Sequence, residues 1–477
     1  MKLNDNTKAF LLFLIALAVR IVFIPFFNFC FDDAYINYRI ARNLARGYGL
    51  VFNPGEHVQA TTTILYTLLM TPAAIIGFGV PLWSKLINSL AMALNIVLFY
   101  EILKGRIREG LIWLLCLFLC FNYVVISQDL LGMEASVLIL CILLATYLYQ
   151  KNYGWLLGLV LGAMFLVRPE GMFAAFLFWL FVVIFKKQDF WKVSIPLASI
   201  AFVWFLYCQT FYGTLIPNSY SAKLAFFSTN PVSFTTQLNT VSKYLFSYLV
   251  FSPVLILLLP LGIWRIVFHE KDLLPLSIWS IVMLLVQLFS TFYLTPWYLA
   301  MVMPFIFLTC ILGLEQLFAS ILPGVGKFFK SRIIIIIVCL GTILYEIVIY
   351  LAVKDSVVDL ANIDELAGQI GAWLRSEKIP ERKVLAIEAI GRVGYESDIK
   401  ILDTYGLASP EMIPYIRDND VSGESIITNF SPDYLLGGGP ELVNRVQGYK
   451  IAHVFTRSQK MRGKNVPMEM IIFKKVE

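Results

Sequence analysis

Charge is the scarcest property of this sequence: only 15% of its residues are Asp, Glu, Lys or Arg, against 59% hydrophobic, and its mean hydropathy is +0.75. That balance excludes a soluble globular protein and fits repeated apolar runs that cross a membrane many times. Histidine is rarer still. His57, His269 and His453 stand far apart, which leaves no histidine-rich metal motif. The seven cysteines are an odd, scattered set, most of them inside apolar runs and none after residue 353, which excludes a disulfide framework. No small-residue cleavage site follows the first apolar run, so that run reads as an uncleaved anchor. No nucleotide fingerprint is present either: "GRVG" (Gly391–Gly394) lacks G-x-G-x-x-G spacing and reads as a turn in a small α/β region, and "GGG" (Gly437–Gly439) as a loop. The net charge of +6 does not indicate nucleic acid, because the basic residues sit in short clusters between apolar runs, where they set topology.

Near residue 354 the composition shifts. The first 353 residues hold 22 Lys+Arg and 14 Asp+Glu; the last 124 hold 16 and 18. This predicts a transmembrane domain over 1–353 and a soluble α/β domain over 354–477. Eleven spans are expected, over residues 9–27, 83–103, 109–126, 134–149, 154–167, 172–185, 193–211, 245–267, 274–293, 297–318 and 333–353. A further apolar stretch, Thr63–Gly79, is short and interrupted by Pro72, and reads as re-entrant or interfacial. With that segment left out of the count, the lysine- and arginine-bearing loops all fall on the side of the N-terminus. The positive-inside bias then gives a cytoplasmic N-terminus and an extracytoplasmic C-terminal domain. On this threading Asp32, Asp33, Glu56, Asp129, Glu134, Arg168, Glu170 and Lys223 gather at the outer face. Carboxylates near membrane depth are costly and call for a partner or a function.

The densest charge follows the first span, in "CFDDAYINYRIARNLARGYGLVFNPGEHVQATTT" (Cys30–Thr63). Within an outer loop over 28–82, a helix over 34–46 is expected, capped by Asp32 or Asp33 and ended by Gly47. Ile36, Ile40 and Leu44 form an apolar stripe, and Arg39, Arg42 and Arg46 a basic one. That pattern predicts an interfacial helix with its arginines toward headgroup phosphates. A carboxylate beside such a stripe can activate a hydroxyl while guanidinium forks hold a lipid-borne phosphate. A divalent cation on the Asp pair is the rival use, though two candidate ligands are few for one.

These residues resemble the first outer loop of the GT-C superfamily of membrane glycosyltransferases that use polyprenyl-phosphate sugars, most closely the actinobacterial terminal arabinofuranosyltransferase group. "GMEAS" (Gly132–Ser136), "VRPEG" (Val167–Gly171), "YGTLIPNSYSAK" (Tyr212–Lys223) and "AIGRVGYESDIKILDTYGLASPE" in the last third fit the same pattern in consistent order. The resemblance implies an all-α polytopic GT-C fold with the C-terminal α/β domain. It implies an inverting transfer of a sugar from a polyprenyl-phosphate donor to a hydroxyl of an envelope glycan or glycolipid, at the outer face of a cytoplasmic membrane. Asp32 would be the general base and Asp33 its support. Arg39 and Arg42, with Arg168 and Lys223, would bind the donor phosphate. Glu56, His57, Glu134, Glu170, Asn218 and Tyr220 would line the substrate cavity, with no resident metal assigned. The chain departs from the pattern at "VQATTT" (Val58–Thr63), so neither acceptor nor sugar follows from the resemblance. A transporter or flippase of lipid-linked sugars is the competing class. Transporters show internal repeats and midplane charge; no second Asp-Asp helix occurs here, and Arg20 and Glu346 are the few ionisable residues expected in mid-span.

Overall fold

The computed structural model describes residues 4–248, 257–292, 296–320, 332–380, 382–438, 447–461 and 464–476. It is mostly helical, with one small sheet near the C-terminus, and divides into two compact units. The division is not linear in sequence. Unit one comprises Met1–Phe26, Ser84–Phe205 and Val232–Ala352; unit two comprises Phe27–Trp83, Leu206–Pro231 and Val353–Glu477. The C-terminal residues therefore share a compact unit with two segments of the first 353 residues, Phe27–Trp83 and Leu206–Pro231.

Unit one is a set of apolar helices. Among the described residues of the whole chain, five helices are long and apolar enough to cross a membrane: Asp5–Phe26, Val80–Leu103, Lys187–Tyr212, Lys271–Phe289 and Trp297–Ser320. The pair Glu109–Phe121 and Tyr123–Leu130, bent by 52°, makes a sixth if it is one broken span. Ala135–Lys151, Gly154–Val167 and Pro169–Phe185 are shorter apolar helices that coincide with expected spans. The expected span over 245–267 lies partly outside the described residues.

The bend has a visible partner. Breaking the helix at Asn122 takes the next-turn donors away from the last carbonyls of its first half. Arg20, fully buried on the first helix, donates to the carbonyls of Leu119 (3.0 Å) and Cys120 and to Asp129 Oδ2 (3.0 Å). Asp129 accepts in turn from Ser136 Oγ. The mid-span arginine is thus a paired group closing a broken helix.

At the end of unit one that carries the basic loops, ion pairs join the helix termini. Lys8 meets Glu109 (2.9 Å), Arg106 meets Glu270 (2.5 Å) and Asp272 (2.6 Å), and Arg108 meets Glu315 (2.7 Å). A cavity of about 270 Å³ lies there, lined by Arg106, Tyr149, Gln150, Phe185, Lys186, Lys271 and Asp272; it contains none of the expected site residues.

Unit two is built on a five-stranded sheet in the order β2-β1-β3-β5-β4. β1 (Val384–Ile387) pairs in parallel with β2 (Lys400–Asp403) and β3 (Tyr434–Gly438); β5 (Lys464–Lys475) runs antiparallel to β3 and to β4 (Tyr449–Met461). Ala386, Leu402, Met412, Ile416, Leu435, Ile471 and Phe473 form its core, which Ala225 of helix Asn218–Thr229 completes. Gly437 and Gly438 belong to β3 rather than to a loop, their backbones being held by β5. The Thr63–Gly79 stretch supplies a 12-residue helix, Ile64–Ile75, with Pro72 inside it; at 1.5 Å per residue it rises about 18 Å, well short of a bilayer core.

Candidate functional site

The Asp-Asp helix runs from Asp32 to Ala45, and Gly47 follows in the left-handed region (φ +85°) that favours glycine. Neither aspartate caps it. Asp32 instead accepts the backbone N–H groups of Gly391 (2.9 Å, Oδ2) and Arg392 (2.7 Å, Oδ1), at the start of the short helix Gly391–Ser397. Burial pushes the Asp32 carboxyl up to about 6; the two N–H groups oppose that shift, and neighbouring Asp33 and Asp364 add to it. The Arg392 side chain lies over the Tyr35 ring (4.6 Å), donates to Tyr35 Oη and pairs with Glu396 (3.3 Å). A half-buried carboxylate fixed by two backbone donors, poised near neutrality and flanked by a second acid, is suited to taking a proton.

The basic stripe is a correction to the interfacial helix. Arg39 is 1% exposed rather than turned to headgroups. Its guanidinium donates to the carbonyls of Phe52 (2.8 Å), Gly394 (2.9 Å) and Ile399 (2.8 Å) and to Asn53 Oδ1 (3.3 Å), with its cationic carbon over the Phe52 ring at 4.4 Å. Backbone carbonyls of two chain segments are its ligands, so it ties the "LVFNPGE" turn to the sheet region and has no fork left to offer a phosphate. Arg42 pairs with Asp398, which Arg46 (3.2 Å) and Arg375 (3.8 Å) also approach, and it stacks over Tyr395 at 4.5 Å. Arg39 and Arg42 are covered because residues 394–399 pack where the sequence pattern implied headgroups, while Arg46 stays exposed.

The remaining residues of the outer loop are held in unit two. Asn53 reads Ile401 as a strand would, donating to its carbonyl (2.8 Å) and accepting from its N–H (3.1 Å). Glu56 accepts from Asn53 (2.9 Å) and pairs with Lys400 (2.5 Å). His57 is exposed and stacks on Phe211 (4.3 Å), which stacks on Tyr207 (5.0 Å). Asn218 donates to the carbonyls of Gly406 (2.7 Å) and Leu407 (2.9 Å); Tyr220 is exposed and Lys223 half-buried on the same helix. In the divergent "VQATTT" segment, Thr61 (2.7 Å) and Thr63 (3.0 Å) donate to Asn37 Oδ1, joined by Thr67 (3.2 Å). That segment packs against the Asp-Asp helix through hydroxyls rather than through the acidic run the resemblance leads one to expect.

"GMEAS" and "VRPEG" meet in unit one. Arg168, buried between two helices, grips Glu170 with a bidentate fork (3.0 and 3.1 Å), donates to Glu134 Oε1 and lies over the Tyr298 ring at 5.1 Å. Trp279 Nε1 donates to the Glu170 carbonyl (2.9 Å). Glu134 is fully buried, and its Oε2 has no donor among the described residues. Two carboxylates on one arginine, with an aromatic face and an idle acceptor, make a polar node able to exchange partners. Among the described residues no group of three or more His, Cys, Asp or Glu is placed to hold a metal ion.

Sequence reasoning missed Tyr35, Arg392 and Asp364 around Asp32, and it missed Tyr298 and Trp279 around Arg168. It also passed over Lys85, a buried lysine in the apolar helix Val80–Leu103. Lys85 had a legible signal, a lone cation in a span; the tyrosines and tryptophan did not.

Apolar helices of this number and length mark a multi-pass membrane protein. The particular likeness is to ArnT from Cupriavidus metallidurans. Its apo structure is 11% identical over 98% of both chains (TM-score 0.61). Its structure bound to undecaprenyl phosphate is 10% identical over 98% of this chain and 97% of that one (TM-score 0.54). Residues 360–468 match a family model described as a domain of unknown function (DUF8728). No curated protein matches the chain significantly in sequence.

Proposed function

We propose that this protein is a membrane glycosyltransferase that moves a sugar from a polyprenyl-phosphate donor to a hydroxyl of a cell-envelope glycan or glycolipid. The observation that carries this reading is the fold shared along nearly the whole chain with ArnT, a GT-C glycosyltransferase whose structure is bound to undecaprenyl phosphate. The membrane is the cytoplasmic one, with the N-terminus inside and the C-terminal domain outside, as the loop charges favour.

In this reading Asp32 takes the proton of the acceptor hydroxyl. The oxygen attacks the anomeric carbon from the face opposite the phosphate, the carbon–oxygen bond to phosphate breaks, its electron pair leaves on the phosphate, and the anomeric centre inverts. Each Asp32 oxygen accepts one N–H and keeps a lone pair for that proton. Asp33 steadies the acceptor or sugar. Arg168 and Lys223 take the leaving phosphate in preference to Arg39, whose three nitrogens each already donate within the fold. Glu134 and Glu170 orient the sugar, and exposed His57 and Tyr220 offer faces for glycan stacking. The sugar is left to experiment; no step here requires a metal.

The test is a proteoliposome assay with a polyprenyl-phosphate sugar and an envelope glycan. Release of free polyprenyl phosphate that depends on acceptor is the expected result. Movement of the intact donor across the bilayer with no release would make the protein a flippase instead. Asp32→Asn lowers turnover by about 10²–10⁴-fold, the usual range for a lost general base. Glycan analysis of a deletion strain names the sugar and linkage.

A further inference from the structure

We propose that the "GRVG" turn of the C-terminal region is the seat of the catalytic carboxylate: Gly391 and Arg392, through their backbone N–H groups, are positioning residues for Asp32. This rests on the reading above and gives the C-terminal region a part in the chemical step itself.

The geometry is specific to glycine. Gly391 sits so close to Asp32 that a Cβ would overlap the Asp32 backbone carbonyl and lie 2.8 Å from its Cγ. Three residues on, a Cβ on Gly394 would lie 2.7 Å from Arg39 Nη1 and 3.0 Å from Phe52. One turn of the helix Gly391–Ser397 thus presents two glycines, i and i+3, to the Asp-Asp helix, and its backbone lies directly against it. Neither glycine has a left-handed φ, so the requirement is close approach and not backbone conformation. The contact also delivers chemistry. Gly391 and Arg392 each give an N–H to one oxygen of Asp32, while the Gly394 carbonyl accepts from Arg39. Carboxylate and arginine of one helix are therefore held by a single turn of another. Two donors on one carboxylate fix both its rotation and its tilt, which a reacting base requires.

The predicted signature separates positioning from packing. Gly391→Ala pushes the turn off Asp32, exposes the carboxylate to water and returns its titration toward the ordinary range. Turnover falls by about 10²-fold with little change in donor KM, and the acidic limb of the rate profile moves down from about 6. Gly423→Ala, the same change at a helix start with open space around it, leaves rate and profile unaltered. A Gly391→Ala enzyme with normal turnover and an unmoved limb overturns the proposal.

Should Gly391→Ala not fold, hydrogen exchange on Asp32→Ala reads the same contact. Amides of residues 391 and 392 exchange faster there than in the unaltered protein, while β1 and β2 stay protected; equal protection in both proteins overturns the proposal. Because this measurement needs no turnover, it still judges the seat if the unaltered protein proves to transfer no sugar, an outcome that would refute the proposed function and not the contact.

Discussion

Two buried arginines, one in each unit, divide the molecule's charged groups by what surrounds them. Arg39 in unit two is held by three backbone carbonyls and a side-chain amide. Arg168 in unit one is held by two glutamates and an aromatic ring. Carbonyls belong to the fold and cannot leave without unpicking it, so Arg39 is structural. Carboxylates are charged, sit on rotatable side chains and are repelled by an incoming anion, so a phosphate can displace them and inherit the guanidinium. The arginines look alike in sequence, yet their acceptors set one to hold the scaffold and leave the other able to work.

The largest effect that would break this comparison is at Arg168. Arg168→Ala leaves Glu134 and Glu170 without their cation in a buried setting, which costs about 3–5 kcal/mol and should lower the melting temperature sharply. Arg168→Lys keeps the charge but not the fork. It should fold and show a raised donor KM. Unchanged donor KM in that variant would leave Arg168 as scaffold too.

Next in size is Arg39→Lys. Three donors on a flexible stem cannot serve four fixed acceptors, and a stranded buried acceptor costs about 1–3 kcal/mol. Stability should fall while donor KM holds. If donor KM rises at unchanged stability, Arg39 touches the phosphate and the division between the two arginines fails.

The same contrast explains what the sequence could and could not reveal. Apolar runs, loop charge and a composition break near 354 are local signals, and they announced the polytopic helices and an α/β region near the C-terminus. The Asp-Asp helix was placed to within a residue or two. Its environment was not legible, because Arg39 is buried by residues 394 and 399, some 355 positions away, and an amphipathic pattern does not say whether lipid or protein covers it. "GRVG", expected as a turn, opens the helix Gly391–Ser397, and close approach by glycine shows only when the partner helix is in place. Glu134, Arg168 and Glu170 were legible individually as costly charges at span ends; their convergence on one another was not.

A third prediction concerns pH. The proposed base Asp32 can take a proton only when ionised, so turnover should fall about tenfold per pH unit below about 6 and level off above. Stability runs the other way for this residue. Its folded pKa lies above the ordinary 3.8, so its contribution to folding is complete below that value and is lost as pH rises through about 6. Rate and melting temperature measured across pH 4–8 should therefore diverge on account of Asp32, and Asp32→Asn should remove both trends. A rate limb below pH 4.5 would place the base elsewhere.

The smallest effects test the scaffold side most finely, at Asn37. Its Oδ1 has two lone pairs but three hydroxyls nearby, from Thr61, Thr63 and Thr67. Thr67 also reaches the Thr63 carbonyl at 3.1 Å, so its single proton has another acceptor. Thr61 is the shortest donor to Asn37 and accepts from the Thr63 N–H at 3.1 Å. Removing its hydroxyl strands the Thr63 N–H, whereas removing that of Thr67 strands none. Thr61→Val should therefore lower stability by about 1–2 kcal/mol and Thr67→Val by a few tenths at most, with Thr63→Val between them. None of the three should alter donor KM, since these hydroxyls only brace the face of the Asp-Asp helix that the departing "VQATTT" segment covers. Thermal melts in detergent rank the variants directly, and a larger loss for Thr67→Val than for Thr61→Val would mean that the Asn37 amide is turned the other way in solution.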